Sequence, residues 1–268
     1  MPALDIGRFL APARKRWRRL QKVARKRVQR RWRWIRKHAR KRAYRFVYRQ
    51  WNKRYRLTYA KRLDRVPARD ELPTLLNRRG LLGPGAEIGV KAGRFSEYLL
   101  KRWKGTRLIS IDPWLEDEPD AYVDSANVVQ SRHEEFYAET QARLQPFGAR
   151  SEIWRLTSLE AAERVADGSL DFAYIDARHD YESVLEDLHA WFPKVRPGGL
   201  LTGHDYATGT FKQGEFGVKR AVDEFFAERG IPVFATEGRR PAELFATWLV
   251  EIPATRDGRE RVSQQVAS

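Results

Sequence analysis

The sequence predicts an α/β domain, a mostly parallel sheet with helices on both faces, behind a long basic helical arm. Three observations predict it. From residue 84 onward, apolar strand-like runs alternate with helix-like segments. The first such run leads straight into a glycine pair, Glu87-Ile-Gly89-Val-Lys-Ala-Gly93, and then a helix. Charge is divided between two regions. Residues 1–70 hold 27 Lys/Arg against Asp5, Asp64 and Asp70, a balance of +24, and the remainder of the chain balances to −7 within a net +17. The basicity therefore belongs to the arm, which seeks polyanions, and not to the domain.

The arm comes first in the chain. Trp17, Leu20, Ala24, Val28, Trp32, Ile35, Ala39, Ala43 and Phe46 recur at a mean of about 3.6 residues, the helical period. A second stripe runs through Tyr44, Tyr48, Trp51, Tyr55 and Tyr59. Residues 14–62 thus read as one or two helices with Lys and Arg on the other faces. Like charges at this density repel along a helix, so a partner or counterions are expected. A solvated tail has no use for so much aromatic surface. An anionic membrane surface, RNA and a second copy of the chain are all open as partners. Pro67 closes this region, giving an arm over 1–69, a domain over 70–253 and a polar tail over 254–268.

Within the domain, residues 70–82 suggest a short helix, and Gly83-Pro-Gly a turn. Strands are expected at 86–90, 107–112, 151–156, 170–176, 200–205, 231–236 and 244–252. Helices are expected at 94–103, 131–145, 159–166, 180–192 and 217–229. Residues 113–130 read as an acidic loop shaping an acceptor pocket. No helix separates the last two strands, so they must pair as an antiparallel hairpin.

The chain has no cysteine. Disulfides, thiolate metal sites and cysteine nucleophiles are excluded. No window of about 18 apolar residues is present and the N-terminus lacks a signal-peptide core, so a cytoplasmic protein is expected, with peripheral membrane contact through the arm as an option.

The spacing of the glycines suits a backbone that approaches a ligand closely. Asp112, the next acidic strand end, lies 23 residues past Gly89, a distance that suits a carboxylate on ribose hydroxyls. The dinucleotide pattern G-x-G-x-x-G is absent. The acidic residue two places before Gly89 instead resembles the acid-x-Gly-x-Gly-x-Gly motif of class I S-adenosylmethionine-dependent methyltransferases, with Lys91 in place of the middle glycine. Further on, Ile111-Asp-Pro-Trp114, Tyr174-Ile-Asp176-Ala-Arg-His179-Asp-Tyr181, Pro197-Gly-Gly199 and Gly203-His-Asp205-Tyr206 resemble the bacterial subgroup that includes the macrocin-type sugar O-methyltransferases. The resemblance covers about residues 72–252. It implies a Rossmann-like seven-stranded sheet in the order 3-2-1-4-5-7-6. It also implies that Glu87, Gly89 and Gly93 hold the methionine end of the cofactor, Asp112 the ribose, and Thr157 and Ser158 the neighbourhood of the adenine. Trp114 covers the adenine or packs a loop.

Methyl transfer to a hydroxyl needs the nucleophile positioned and its proton removed. In the implied order Asp176 and Asp205 end neighbouring strands, about 4.8 Å apart, where both reach one divalent ion such as Mg2+, with His204 as ligand or supporting partner. His179 is placed to act as a base, with Asp176 beside it as the other catalytic candidate. The alternative is that both aspartates cap helices. In the magnesium enzymes of the subgroup a carboxylate stands where His204 stands here. Two function classes follow. One is O-methylation of a small molecule or glycan. The other is RNA methylation anchored by the arm, against which stand the acidic domain and the absence of an Asn/Asp-Pro-Pro-Tyr motif. A scaffold role for a degenerate domain is a third option.

Overall fold

The computed structural model describes Gln50 and residues 61–117, 124, 127–237 and 245–254. The arm helices expected over 14–62, with their aromatic stripes, lie outside the described residues apart from Gln50 and the last two positions. The Arg239-Arg240-Pro241 loop and the tail beyond residue 254 also lie outside them.

The domain is built on β1 (Pro84–Ile88), β2 (Arg107–Ile111), β3 (Ser151–Trp154), β4 (Leu170–Ile175), β5 (Val195–Gly203), β8 (Phe234–Ala235) and β9 (Trp248–Glu251). They form one sheet in the order β3-β2-β1-β4-β5-β9-β8. β1 to β5 pair in parallel, and β9 runs antiparallel to both β5 and β8. This is the expected seven-strand order with its terminal hairpin. The sequence reading missed β6 (Gly209–Phe211) and β7 (Gly214–Phe216), a separate antiparallel pair of three residues each.

The strands differ from expectation most at their starts. β5 begins at Val195, five residues early, because Arg196-Pro-Gly-Gly, with Gly198 left-handed at φ 74°, carries the strand across a register shift against β4. β1 begins at Pro84, where a turn is expected. A Cβ on Gly85 would stand 2.1 Å from the Phe172 ring, so the glycine permits close strand packing here.

Among the described residues six α-helices flank the sheet: α1 (Leu72–Arg79), α2 (Arg94–Arg102), α3 (Gln130–Leu144), α4 (Ser158–Arg164), α5 (Tyr181–Trp191) and α6 (Val218–Ala227). Ile88, Ile111, Ala173, Ile175 and Leu201 share one buried core with Ala161, Val184, Leu188, Val222 and Phe226 of α4 to α6. The other sheet face meets α2. There Phe95 packs on Tyr174 at 4.6 Å between ring centroids, and Trp103, just beyond the helix, meets Phe172 edge-on at 4.9 Å. Ser110, Glu87, Tyr174 and Thr202 stand in register across β2, β1, β4 and β5 on that face, all buried. Polar residues across the middle of a parallel sheet are unusual where apolar runs are the rule.

α4 and α5 are tied by a buried chain. Ser158 donates its hydroxyl to Asp187, and Trp191 Nε1 donates to Ser158 Oγ at 2.9 Å. Burial pushes the Asp187 carboxyl up from its ordinary 3.8 to about 7, the Ser158 bond opposing only in part.

The segment before α1 packs on the domain. Leu63, Val66 and Ala68 are buried. The Val66 carbonyl accepts from the Glu237 N–H at 3.1 Å, and Tyr98 donates to the Asp70 carbonyl at 3.0 Å. Charge composition puts the arm's end at residue 69, whereas packing draws 63–69 into the domain.

Two expectations follow. A chain beginning at residue 61 should unfold at nearly the temperature of the full chain. One beginning at residue 70 loses the burial of Leu63 and Val66, about 3–6 kcal/mol, and should melt on the order of 10 °C lower in thermal denaturation. For Asp187 the neutral form is favoured on folding, so its contribution is greatest below the ordinary carboxylate value and declines as pH climbs towards 7. Asp187→Asn removes that decline. In denaturant titrations the variant should gain on the wild type by on the order of 2 kcal/mol between pH 4.5 and pH 8, and a pH-independent difference would refute this.

Candidate active site

The loop after β1 is shaped by contact with β4. Gly89 has φ 87°, and a Cβ there would fall 2.0 Å from the Asp176 carbonyl oxygen, so only glycine fits. Glu87, at the strand's end, is buried and accepts from Ser96 Oγ at 2.6 Å. Burial pushes its carboxyl up to about 8 despite that bond. Lys91, where the resembled motif has glycine, takes the left-handed conformation at φ 54°. The turn is thus kept, at a cost of about 1–2 kcal/mol for an L-residue. Gly93 is also left-handed, φ 68°, and leads into α2.

Asp112, just past β2, fastens this loop. Its Oδ2 accepts from the Lys91 N–H at 2.8 Å and its Oδ1 from the Trp114 N–H at 2.8 Å. Burial raises its carboxyl above the usual range, against the pull of those N–H groups. Trp114 is fully buried, packs at a tilt against Tyr137 with ring centroids 4.8 Å apart and donates Nε1–H to the Lys91 carbonyl at 2.6 Å. Of its two sequence readings, loop packing is the one the structure shows.

Thr157 and Ser158 line the same cleft. Their side chains are engaged internally. Thr157 caps α4 in a reciprocal box with Glu160, and Ser158 bonds Asp187. Leu159 and Asp187 line the cleft there as well.

The other half of the cleft gathers Asp176, His179, His204 and Asp205 from the ends of β4 and β5, as their spacing suggests. His179 Nδ1 lies 2.9 Å from Asp124 Oδ2 and its Nε2 3.0 Å from Asp205 Oδ2. Its ring is stacked on Phe216 at 4.5 Å. Burial works against a charged ring, but the two carboxylates outweigh it and push His179 up to about 10. In this arrangement the imidazole is protonated at neutral pH and does not stand ready as the base the sequence suggests. His204 Nδ1 lies 2.9 Å from Asp205 Oδ1 and 4.0 Å from Asp176 Oδ1. Burial alone would raise Asp205, yet the two histidines hold it well below the usual carboxylate range. Asp176 moves the other way. Burial raises it, Asp205's like charge adds to the rise, and His204 and Arg69 offset part of it. Asp205 has φ 51°, a strained conformation for a non-glycine residue that directs its carboxylate between the two rings.

One ligand atom each from Asp176, His179 and Asp205 lies within 4.8 Å of the others. His204, grouped with the metal ligands in the sequence reading, is outside this set and supports Asp205 from beside it. Three further residues enter the cleft unforeseen. Asp124 comes from the acidic loop, Phe216 from β7, and Arg69 from the turn before α1. Arg69 was indistinguishable by charge from the arm around it. Asp124 was one acid among several, and β7 was too short to be legible.

These groups line one cleft of about 890 Å³, running from Glu87 and Asp112 to Asp205. Residues 86–206 match the family model of a methyltransferase domain. The uncharacterised protein y4gI of Sinorhizobium fredii is 27% identical over 130 residues, which are 48% of this chain and 13% of that protein. The match therefore spans a small fraction of that relative's length. Among solved structures, a protein from Corynebacterium glutamicum is 20% identical, with 76% of this chain and 90% of that one aligned and a TM-score of 0.49. The O-methyltransferase TomG of Streptomyces achromogenes, solved with S-adenosylmethionine and involved in tomaymycin synthesis, is 16% identical over 69% of this chain and 78% of its own, with a TM-score of 0.46. Residues 86–206 are thus a methyltransferase domain, and the seven-strand order with the Glu87–Gly93 loop closed by Asp112 is similar to the arrangement of the class I S-adenosylmethionine-dependent enzymes.

Proposed function

We propose that the enzyme transfers the methyl group to a hydroxyl of a small molecule or glycan. The observation that carries this reading is the convergence of Asp176, His179 and Asp205 beside the Gly89 loop. A hydroxyl is a poor nucleophile until its proton leaves, and a site for O-methylation must receive that proton next to the methyl donor. The Asp176 carboxylate is placed to take it, its burial raising its proton affinity. The cleft's charge argues against a nucleic-acid acceptor. It is lined by eight Asp/Glu against four Lys/Arg, and a phosphate backbone seeks the opposite balance.

Two carboxylates and an imidazole form a donor set that fits a divalent cation, Mg2+ if carboxylate oxygens dominate and Mn2+ if the imidazole takes part. Asp176, Asp205 and His179 would hold it. Such an ion supplies charge neutralisation that lowers the pKa of a coordinated hydroxyl. The chain's own residues do the rest. Asp124 and Phe216 orient the His179 ring, and His204 supports Asp205.

Two measurements test this reading. Asp112→Ala should weaken S-adenosylmethionine binding by about 1–3 kcal/mol, the worth of a charge-assisted bond, in calorimetry. Binding of NAD in place of S-adenosylmethionine by the wild type would refute the cofactor assignment. With labelled cofactor and pooled hydroxyl compounds, Asp205→Asn and chelator should each abolish transfer, and added Mg2+ or Mn2+ should restore it only in the wild type. Undiminished transfer in chelator would remove the metal and leave Asp176 as a metal-free proton acceptor.

A further inference from the structure

Arg69 occupies an unexpected place. It stands on a single 3-10 turn, Arg69–Glu71, fixed between buried Ala68 and buried Glu71. Its guanidinium lies 4.9 Å from the centroid of the Phe95 ring, and Nη1 is 3.4 Å from Asp176 Oδ2. Phe95 in turn packs on Tyr174. A ring and a carboxylate thus hold a partly buried cation at the Glu87–Gly89–Asp176 end of the cleft.

Resting on the reading that this cleft holds S-adenosylmethionine, we infer that Arg69 binds the carboxylate of the cofactor's methionine moiety. The amino-acid end of that cofactor is a zwitterion, with ammonium and carboxylate on one carbon and a sulfonium nearby. Glu87 and Asp176 suit the two cationic groups. The same acids repel the carboxylate, which needs a fixed cation among them to be accommodated out of water. Other cations along the cleft are placed differently. Lys91 Nζ lies over the Phe136 ring at 5.6 Å. Arg178 pairs with Asp117 and Asp180. Arg94 is exposed on the first turn of α2. Arg69 is the cation set against both Asp176 and the ring that backs this end of the cleft. A guanidinium carries five N–H donors in a planar fork, so it can serve Asp176 and a second carboxylate together.

The test compares ligands that differ only in the amino-acid end. S-adenosylhomocysteine carries it, and 5′-methylthioadenosine lacks it while keeping the adenosine and the thioether. Calorimetry on the full chain should show Arg69→Met binding S-adenosylhomocysteine about tenfold to a hundredfold more weakly, with 5′-methylthioadenosine unchanged within about twofold. Arg69→Lys keeps the charge but not the fork, and should show a smaller loss for the first ligand and none for the second. If Arg69→Met does not fold, Arg69→Lys carries the test by the same contrast. Equal weakening of both ligands overturns the inference in favour of a purely structural role, as does no weakening of either. Failure of the wild type to bind S-adenosylmethionine or either analogue refutes the cofactor assignment itself, and is seen before any variant is made.

Discussion

The contact between the end of β1 and the end of β4 is the constraint on which the site depends. The Asp176 N–H donates to the Ile88 carbonyl at 2.7 Å, and the Gly89 backbone crosses so close to the Asp176 carbonyl that a side chain has no room. The Gly89 loop and the strand end that bears Asp176 are therefore one backbone junction. Methyl transfer needs its two reactants within about 3–3.5 Å and in line. Under the proposed function, the backbone around that alignment would be fixed by strand pairing between β1 and β4.

Around that junction the buried charges are compensated locally. Asp205 lies between two imidazoles, Asp176 faces Arg69, and Glu87 rests on a serine hydroxyl. An unpaired charge at such depth costs several kcal/mol. Ligand binding at this cluster accordingly exchanges partners among groups that are already ionised or already protonated. The strained backbone of Asp205 is sustained by the same network, since both of its carboxylate oxygens are engaged in this conformation.

Much of the fold was legible in the sequence, for a physical reason. Strands buried on both faces, such as β4, read as unbroken apolar runs, and helices between them keep a 3.6-residue period. Proline and glycine misled at the starts of β1 and β5, where they extend a strand rather than turn it. The six residues of β6 and β7 were too few to carry a pattern. In the site, Asp176, His179 and Asp205 were legible because strand ends announce themselves. What each side chain does there was not. Trp114 turned inward, Thr157 became a helix cap and His204 fell behind Asp205, because packing and hydrogen-bond competition choose those directions. Arg69 and Asp124 lie 107 and 55 residues from their partners, a separation that no local pattern encodes.

Trp114 has a consequence of its own. One fully buried indole joins the Lys91 carbonyl, the Asp112 carboxylate through its own backbone N–H, and Tyr137 of α3. Its carbonyl accepts from Gln130 Nε2 at 3.1 Å. The Gly89 loop, the tip of β2 and α3 are therefore a single preassembled wall. A nucleoside docking against that wall would pay little to order it, and its affinity there would come from contacts already in place. The speed of its capture would then be a matter of encounter and desolvation, with no rearrangement of this wall to wait for.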